Sequence, residues 1–231
     1  MRTIGVIGGM SWESTVTYYQ LINRGVRDRS GPLNSARVLI DSLDFSEIER
    51  LQHEGDWHRA GELLAESARR LCAGGADCIL LATNTMHMVA DAVIGATSLP
   101  FLHIADATGA AIRTAGLNKV ALLGTAFTME EDFYRATLRE KFGVHCVLPS
   151  ADLRRQVHRI IYDELCVGLV SEASRQVYRE VIAECVAAGA GGVILGCTEI
   201  GLLVSQEDSS VPLFDSAALH AAAAVEFSLA G

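Results

Sequence analysis

Short apolar segments alternate with amphipathic segments along the whole chain. Ile4–Ile7 and Ile79–Leu81 have the length and composition of buried strands, whereas 11–29 and 61–74 repeat apolar residues at helical spacing. Strands of a parallel sheet are nearly continuous apolar runs because helices cover both faces of the sheet. The pattern therefore predicts an α/β fold of mostly parallel sheets flanked by helices.

The same pattern occurs twice. Segment 189–199 aligns with 75–85 without a gap, and 119–125 repeats the opening strand together with its glycine turn. Further segments repeat in the same order, which is how a duplicated supersecondary unit presents itself in a sequence. We therefore predict two pseudo-symmetric, Rossmann-like lobes.

Two corresponding turns carry the candidate chemistry. Thr83–Thr85 follows one predicted strand, and Cys197–Glu199 follows its repeat. Ligands of open α/β sheets bind beyond the carboxyl ends of the strands, so two facing lobes would place these turns on opposite walls of a cleft. Backbone N–H groups at such a turn attract a carboxylate and are expected to lower the pKa of a thiol. The sequence thus predicts a small carboxylate held against Cys197.

Other residues of these turns extend the predicted ligand site. Asn84, Thr85 and Thr198 can donate hydrogen bonds to a ligand. Thr125 ends the repeated glycine turn. Met10 follows the first glycine turn, where we expect it to form part of the wall. That turn lacks the spacing of a dinucleotide loop and the lysine of a Walker A motif, so a nucleotide cofactor is disfavoured.

The histidines are weaker candidates. His87 lies shortly after Thr83, where it could either orient a group of the cleft or serve packing. His103 and His220 follow the two proline-containing strands, a position that favours a structural role.

Composition and charge limit the classes of function. Half of the 231 residues are apolar, so a sizeable core can form without a metal or disulfides. A net charge of −9 argues against a nucleic-acid partner. No apolar run reaches the ~18 residues of a membrane span, and the six cysteines lack zinc-site spacing. We expect a cytoplasmic protein that binds a small molecule and no metal.

Three motifs together resemble the aspartate/glutamate racemase family. They are Gly8-Gly9-Met10-Ser11-Trp12-Glu13-Ser14, Thr83-Asn84-Thr85-Met86-His87 and Gly196-Cys197-Thr198-Glu199-Ile200-Gly201. The resemblance spans nearly the whole chain. It is closest to the bacterial branch of broad-specificity and L-aspartate/glutamate-specific amino-acid racemases.

The resemblance implies a cofactor-independent isomerase, usually a homodimer, in which two facing cysteines flank the substrate Cα. One thiolate removes the Cα proton, and the opposite thiol delivers another. The C-terminal segment is implied to return to the first lobe. The predicted bounds are 1–98 with 211–231 for the first lobe and 99–210 for the second.

This chain departs from the family pattern at one of the two cysteines. Thr83 stands where the usual motif is Cys-Asn-Thr, and a hydroxyl is a far weaker acid than a thiol. We therefore predict an asymmetric enzyme, in which Cys197 is the main base and Thr83, alone or through water, returns the proton. By resemblance, such an enzyme should act mainly on L substrates.

The substrate side chain is less constrained by the sequence. Aspartate-specific members carry a lysine in an Ile-Tyr-x5-Gly segment, but Ile161–Gly168 has no basic residue. By resemblance Gln52, in the predicted loop after the second strand, is a candidate substrate-binding residue, and an ordinary exposed loop glutamine is the alternative. The other candidate substrate-binding residues are Asn84, Thr85, Thr198 and Glu199. L-Aspartate or L-glutamate is the leading substrate, and neutral or basic amino acids are the alternative. Related cysteine-dependent reactions, such as hydantoin racemisation or maleate isomerisation, and a binding protein with weakened catalysis also remain open.

Overall fold

A computed structural model describes residues 1–230 and divides the chain into two compact α/β lobes. The first lobe contains Met1–His103 and the helical segment from His220 onward, and the second contains Ile104–Leu219. Each lobe has one sheet of four strands, all parallel, with helices around it. The predicted fold class is therefore confirmed.

The first lobe is built on a sheet with strand order β2-β1-β3-β4. Its strands are β1 (Ile4–Gly8), β2 (Val38–Ser42), β3 (Cys78–Leu81) and β4 (Phe101–Leu102). Its helices are α1 (Trp12–Ser30), α2 (Phe45–Glu54), α3 (Trp57–Ala73) and α4 (Ala90–Ile94), with a 3-10 helix at Thr85–Val89. The strands β1 and β3 are buried throughout because helices cover both faces of the sheet.

The second lobe repeats this order as β6-β5-β7-β8. Its strands are β5 (Lys119–Gly124), β6 (His145–Val147), β7 (Val193–Gly196) and β8 (Leu213–Asp215). Its helices are α5 (Ile104–Thr114), α6 (Ala126–Glu130), α7 (Asp132–Phe142), α8 (Ala151–Asp163), α9 (Glu172–Ala187) and α10 (Ile200–Leu203). Two 3-10 helices lie at Leu165–Val167 and Gln206–Asp208, and α11 (Ser216–Leu229) returns the chain to the first lobe.

The lobe boundaries differ from the predicted ones in two segments. Residues 99–103 belong to the first lobe because β4 pairs with β3. Residues 211–219 belong to the second lobe because β8 pairs with β7. In both cases a short edge strand extends its own sheet before the chain crosses to the other lobe. Gly231, which the predicted first lobe includes, lies outside the described residues.

The predicted loop around Gln52 is wrong, because this residue lies in the last turn of α2. Asp44 caps the helix by accepting a hydrogen bond from the Ser46 N–H, and Gly55 ends it in a left-handed conformation (φ 72°). Ile48 and Leu51 lie on one apolar face of α2, which packs into the core. These caps and the apolar spacing were signals in the sequence for a helix.

Close packing of two glycines fixes the carboxyl ends of β5 and β7. Gly124 pairs with Gly196 across the two strands. A Cβ atom on Gly196 would lie 2.7 Å from the Leu123 carbonyl oxygen, and one on Gly124 would lie 2.8 Å from the Gly196 oxygen. The backbone at this edge therefore has no room for a side chain, and the turn that carries Cys197 begins directly after it.

Gly196→Ala is expected to destabilise the protein by about 1–3 kcal/mol, since the new methyl group overpacks a backbone that cannot move easily. Equilibrium urea denaturation followed by circular dichroism measures the change. Gly95→Ala is the control, because Gly95 is exposed and already has helical dihedral angles (φ −71°, ψ −13°). Equal transition midpoints for the two variants would contradict the account of the glycine pair.

Candidate active site

Cys197 and Glu199 form a buried thiol–carboxylate pair directly after β7. The Cys197 thiol donates a hydrogen bond to Glu199 Oε2 at 2.9 Å, and the Thr198 hydroxyl donates to the same oxygen at 2.6 Å. Cys197 is only 9% exposed and Glu199 3%. The three residues predicted from the second turn are therefore joined in one hydrogen-bonded group, with the carboxylate directed back onto the thiol.

The expected lowering of the Cys197 pKa is wrong. Burial raises the pKa of this thiol well above its usual value, and the charge of Glu199 and the hydrogen bond to it raise it further. The Glu199 backbone N–H acts in the opposite direction. The following helix, α10, has only four residues, so its dipole is small compared with the cost of placing a second negative charge beside a buried carboxylate. The resting side chain is therefore a thiol.

A raised pKa does not by itself distinguish Cys197 from the other cysteines. Burial also raises the pKa of Cys78 and Cys185 to about 11 and that of Cys146 to about 12. All six cysteines are free thiols. What distinguishes Cys197 is its hydrogen bond to the Glu199 carboxyl group, an arrangement that is chemically able to give the proton a route off the sulfur.

The Thr83 turn occupies the equivalent place in the first lobe. Thr83, Asn84 and Thr85 are all less than 10% exposed, and the Ala82 N–H donates to the Ile7 carbonyl oxygen at the carboxyl end of β1. The His87 Nδ1–H donates to the Thr83 carbonyl oxygen at 2.7 Å. His87 thus supports the backbone of the turn, which is the structural alternative of the two considered from the sequence.

Three histidines lie together behind the Thr83 turn. The ring of His87 is centred 4.6 Å from that of His103 and 5.8 Å from that of His220. His220 Nε2–H donates to the Leu102 carbonyl oxygen at 2.6 Å, and its Nδ1 accepts from the Tyr18 hydroxyl at 3.0 Å. Burial lowers the pKa of His87 well below its usual value and that of His220 to about 4. Both rings are therefore neutral at physiological pH.

Two further candidate residues of the first lobe lie at the same edge of its sheet. Gln52 is buried in α2, and its Nε2 lies 3.0 Å from the sulfur of Met86, in the segment that follows Thr85. Met10 is 5% exposed and belongs to the same hydrophobic cluster as Met86. Both candidates therefore lie in the packing around the Thr83 turn.

Thr125 and a histidine that the sequence did not single out shape the turn after β5. Thr125 caps α6 by accepting from the Thr128 N–H at 3.3 Å. The next backbone N–H, of Ala126, donates to His158 Nδ1 at 3.1 Å, and the His158 ring packs against Tyr162 with centroids 4.8 Å apart. No local motif marks His158, and its only signal is its spacing of four residues from Tyr162 on one helix.

Two absences apply to the described part of the chain. Residues 1–230 include no helix with the length and apolar character needed to cross a bilayer. The same residues place no three histidine, cysteine or acidic side chains where they could hold a metal ion.

Taken together, these features define a two-lobed, parallel α/β protein with a buried thiol–carboxylate pair as its candidate site. The chain belongs to the Asp/Glu/hydantoin racemase family, whose model matches residues 7–224. It is thus an isomerase of a family that works without a cofactor.

Individual relatives agree with this assignment over their full length. A Yersinia pestis crystal structure described as an Asp/Glu racemase is 51% identical with a TM-score of 0.92, covering 99% of this chain and 100% of that one. An aspartate racemase homologue from Pyrococcus horikoshii is 35% identical with a TM-score of 0.85, covering 99% of each. The broad-specificity amino-acid racemase RacX from Bacillus subtilis is 24% identical over 98% of both chains.

Acidification is expected to destabilise the lobe that carries the histidines. An unfolded histidine takes up a proton near pH 6.5, whereas folded His220 has its pKa lowered to about 4. The stability contributed by neutral His220 is therefore full above about pH 6.5 and is lost as the pH falls towards 4, by up to about 1.4 kcal/mol per pH unit.

Urea denaturation at a series of pH values across this window measures that slope. His220→Gln should make the slope shallower, because the variant has one buried histidine fewer to titrate, while His87 keeps its contribution. The control is His58→Gln, whose wild-type side chain is 86% exposed. A slope that is the same in His220→Gln as in the wild type would show that other groups account for the acid sensitivity.

Proposed function

We propose that the protein racemises amino acids by proton transfer at Cα, with L-aspartate and L-glutamate as the leading substrates. Cys197 removes the Cα proton of the L antipode, and Thr83, alone or through a water molecule, delivers a proton to the opposite face. The hydrogen bond from the Cys197 thiol to Glu199 carries this proposal, together with membership of the family. Thr83 is included in the proposal because its turn is the structural repeat of the Cys197 turn.

The first step is the generation of a thiolate from a buried thiol. We propose that the Cys197 proton moves to Glu199 Oε2, 2.9 Å away, so that one negative charge moves within the pair and no second charge is created. The substrate ammonium group favours the thiolate by its positive charge. The thiolate then takes the Cα proton, becoming a thiol again, and the protonated Glu199 later returns its proton to solvent.

The second step requires a proton donor on the other face of the carbanion. A threonine hydroxyl is a very weak acid, so a donated proton must be replaced from water at once. In the reverse direction Thr83 would have to act as a base, and the Nδ1–H of His87 donates to the carbonyl oxygen of Thr83, so this nitrogen cannot take a proton from the hydroxyl. Proton transfer should therefore be fast on the Cys197 side and slow on the Thr83 side.

A broader substrate range is the second candidate, and one observation favours it. The segment that carries a lysine in aspartate-specific members has no basic residue here, and the apolar side chains around its glycine, Val167, Leu169 and Val170, are all at least 50% exposed. It leads out of the 3-10 helix at Leu165–Val167, which contacts α10 directly behind the Cys197 turn. An apolar wall would accept neutral side chains, as the name of the Bacillus relative suggests for that protein. A homodimer and a cytoplasmic location stay predictions.

Incubation with L-aspartate, L-glutamate or L-homoserine in heavy water should place deuterium at Cα, as followed by proton NMR. Cys197→Ser is expected to lower this exchange by about 10²–10⁴-fold, because the serine hydroxyl is a poor base. Glu199→Gln keeps the shape but cannot accept the thiol proton, and should lower it by about 10²-fold. Cys72→Ser is the matched control, since Cys72 lies on α3 in the other lobe.

The outcomes separate the candidate functions. Exchange that survives Cys197→Ser would identify another group as the base. Measurable binding of an amino acid without any exchange would favour a binding protein over a racemase.

The two antipodes should behave differently in the same assay. Because L and D forms have equal free energies in water, kcat/KM must be equal in both directions. The predicted preference for L substrates therefore cannot appear in the racemisation rate and has to appear in exchange. We expect the L substrate to acquire deuterium at Cα with retention of configuration faster than it racemises. The D substrate should exchange its Cα proton no faster than it racemises. Chiral chromatography with mass spectrometry measures both rates.

Thr83→Cys should raise racemisation in both directions and add exchange with retention for the D antipode, because a thiol replaces the slow hydroxyl. Thr83→Ser keeps a hydroxyl and should retain the wild-type asymmetry. Equal exchange of both antipodes by the wild-type protein would contradict the assignment of the two sides.

A further inference from the structure

A buried tyrosine hydroxyl lies near the candidate thiol without any hydrogen bond. Tyr178 is on α9, which packs against β5, and it is fully buried in the cluster that also contains Cys197. Within residues 1–230 the Tyr178 hydroxyl oxygen has no hydrogen-bond partner. A buried hydroxyl left in this state costs about 1–3 kcal/mol, and a phenylalanine would fill the same volume without that cost.

The other buried tyrosines show that this is not the general arrangement in the protein. Tyr18 and Tyr134 are also fully buried, and their hydroxyls reach His220 Nδ1 at 3.0 Å and Thr108 Oγ1 at 3.1 Å. Of the three fully buried tyrosines among the described residues, the one beside the candidate thiol is the exception. Its hydroxyl is thus available for a partner that the resting protein does not present.

The groups around Tyr178 identify that partner. The pKa of its phenol is raised by burial first and then by Cys197, Glu199, Cys166 and Glu164. Oε2 of Glu164 already accepts from the hydroxyls of Ser171 and Ser174, at 3.2 and 2.5 Å. The Cys197 thiol, by contrast, uses its one proton in the hydrogen bond to Glu199. Its sulfur becomes a strong hydrogen-bond acceptor only after that proton has left.

We propose that Tyr178 is a positioning residue of the racemase site, whose hydroxyl donates a hydrogen bond to the Cys197–Glu199 pair when negative charge moves onto the sulfur. The bond is made only in the activated state, which is where an interaction accelerates a reaction. In the resting state the hydroxyl is unsatisfied, and this raises the free energy of the state from which the thiolate forms. The inference rests on the proposed role of Cys197, but it concerns the thiol before any substrate binds.

The experiment compares Tyr178→Phe with Tyr134→Phe by the rate at which iodoacetamide alkylates Cys197, identified by peptide mass spectrometry at fixed pH and without substrate. Below the pKa of the thiol this rate is proportional to the thiolate fraction. We expect Tyr178→Phe to slow alkylation of Cys197 about 10-fold, corresponding to a rise of about one unit in the thiol pKa. Tyr134→Phe should leave the rate unchanged.

Thermal denaturation provides the readout that separates positioning from packing. Tyr178→Phe should be as stable as the wild type or more stable, because it removes an unsatisfied hydroxyl, while Tyr134→Phe should be less stable because it breaks the bond to Thr108. An unchanged or faster alkylation in a stable Tyr178→Phe protein would overturn the proposal. This is the result expected if a trapped water molecule already satisfies the Tyr178 hydroxyl.

A second measurement covers the case in which Tyr178→Phe does not fold. In wild-type protein labelled with 3-fluorotyrosine, one of the five tyrosine resonances should shift with pH in step with Cys197 alkylation. That shift should disappear in Cys197→Ser. If no resonance follows the thiol, the proposal fails, and since neither measurement uses substrate, its failure is distinct from failure of the racemase assignment.

Discussion

All strands of a parallel sheet end at the same edge, and this constraint places the candidate turns of both lobes. In each lobe the two central strands pair in register, so the loops that leave them lie side by side. In the second lobe the contact of Gly124 with Gly196 brings these strand ends so close that no side chain fits between them. Cys197 follows at once, in a position that the sheet determines and the short α10 does little to stabilise.

That position gives the thiol two opposing properties. Burial makes the charged form costly, and the pKa of Cys197 is raised as a result. The Glu199 carboxylate, 2.9 Å away, makes the charge still harder to create but offers a place for the proton. A thiol in this state is protected from adventitious alkylation and oxidation, because both need the thiolate. In the proposed reaction it becomes a base only when a cation or a hydrogen-bond donor compensates the charge, and a substrate ammonium group is such a cation.

The sequence predicts the fold and the two turns well because both depend on local patterns. Apolar runs, glycine turns and the repeat of 75–85 in 189–199 are visible in the order of residues alone. The predicted direction of the Cys197 pKa shift is wrong because the shift depends on burial and on the direction of the Glu199 side chain. Neither can be read from the spacing of residues in the sequence. The helix at Gln52 is not predicted although its caps are visible in the sequence. The two proline-containing edge strands are predicted, but the lobe to which each belongs depends on which strand it pairs with, and this is a long-range contact.

The histidines behind Thr83 explain why the two turns, although related by the repeat, have different chemistry. In the second lobe the residue two positions after the key side chain is an acid that contacts the thiol. In the first lobe the residue four positions after Thr83 is His87, which contacts a backbone carbonyl oxygen and is kept neutral by burial. One turn thus has an acid hydrogen-bonded to its key side chain, which in the proposed reaction takes the proton, and the other has a histidine hydrogen-bonded to its backbone. A hydroxyl supported in this way can fix a water molecule or give up a proton that is replaced at once, but it gains no basicity, so the slow step of the proposed reaction belongs to the first lobe.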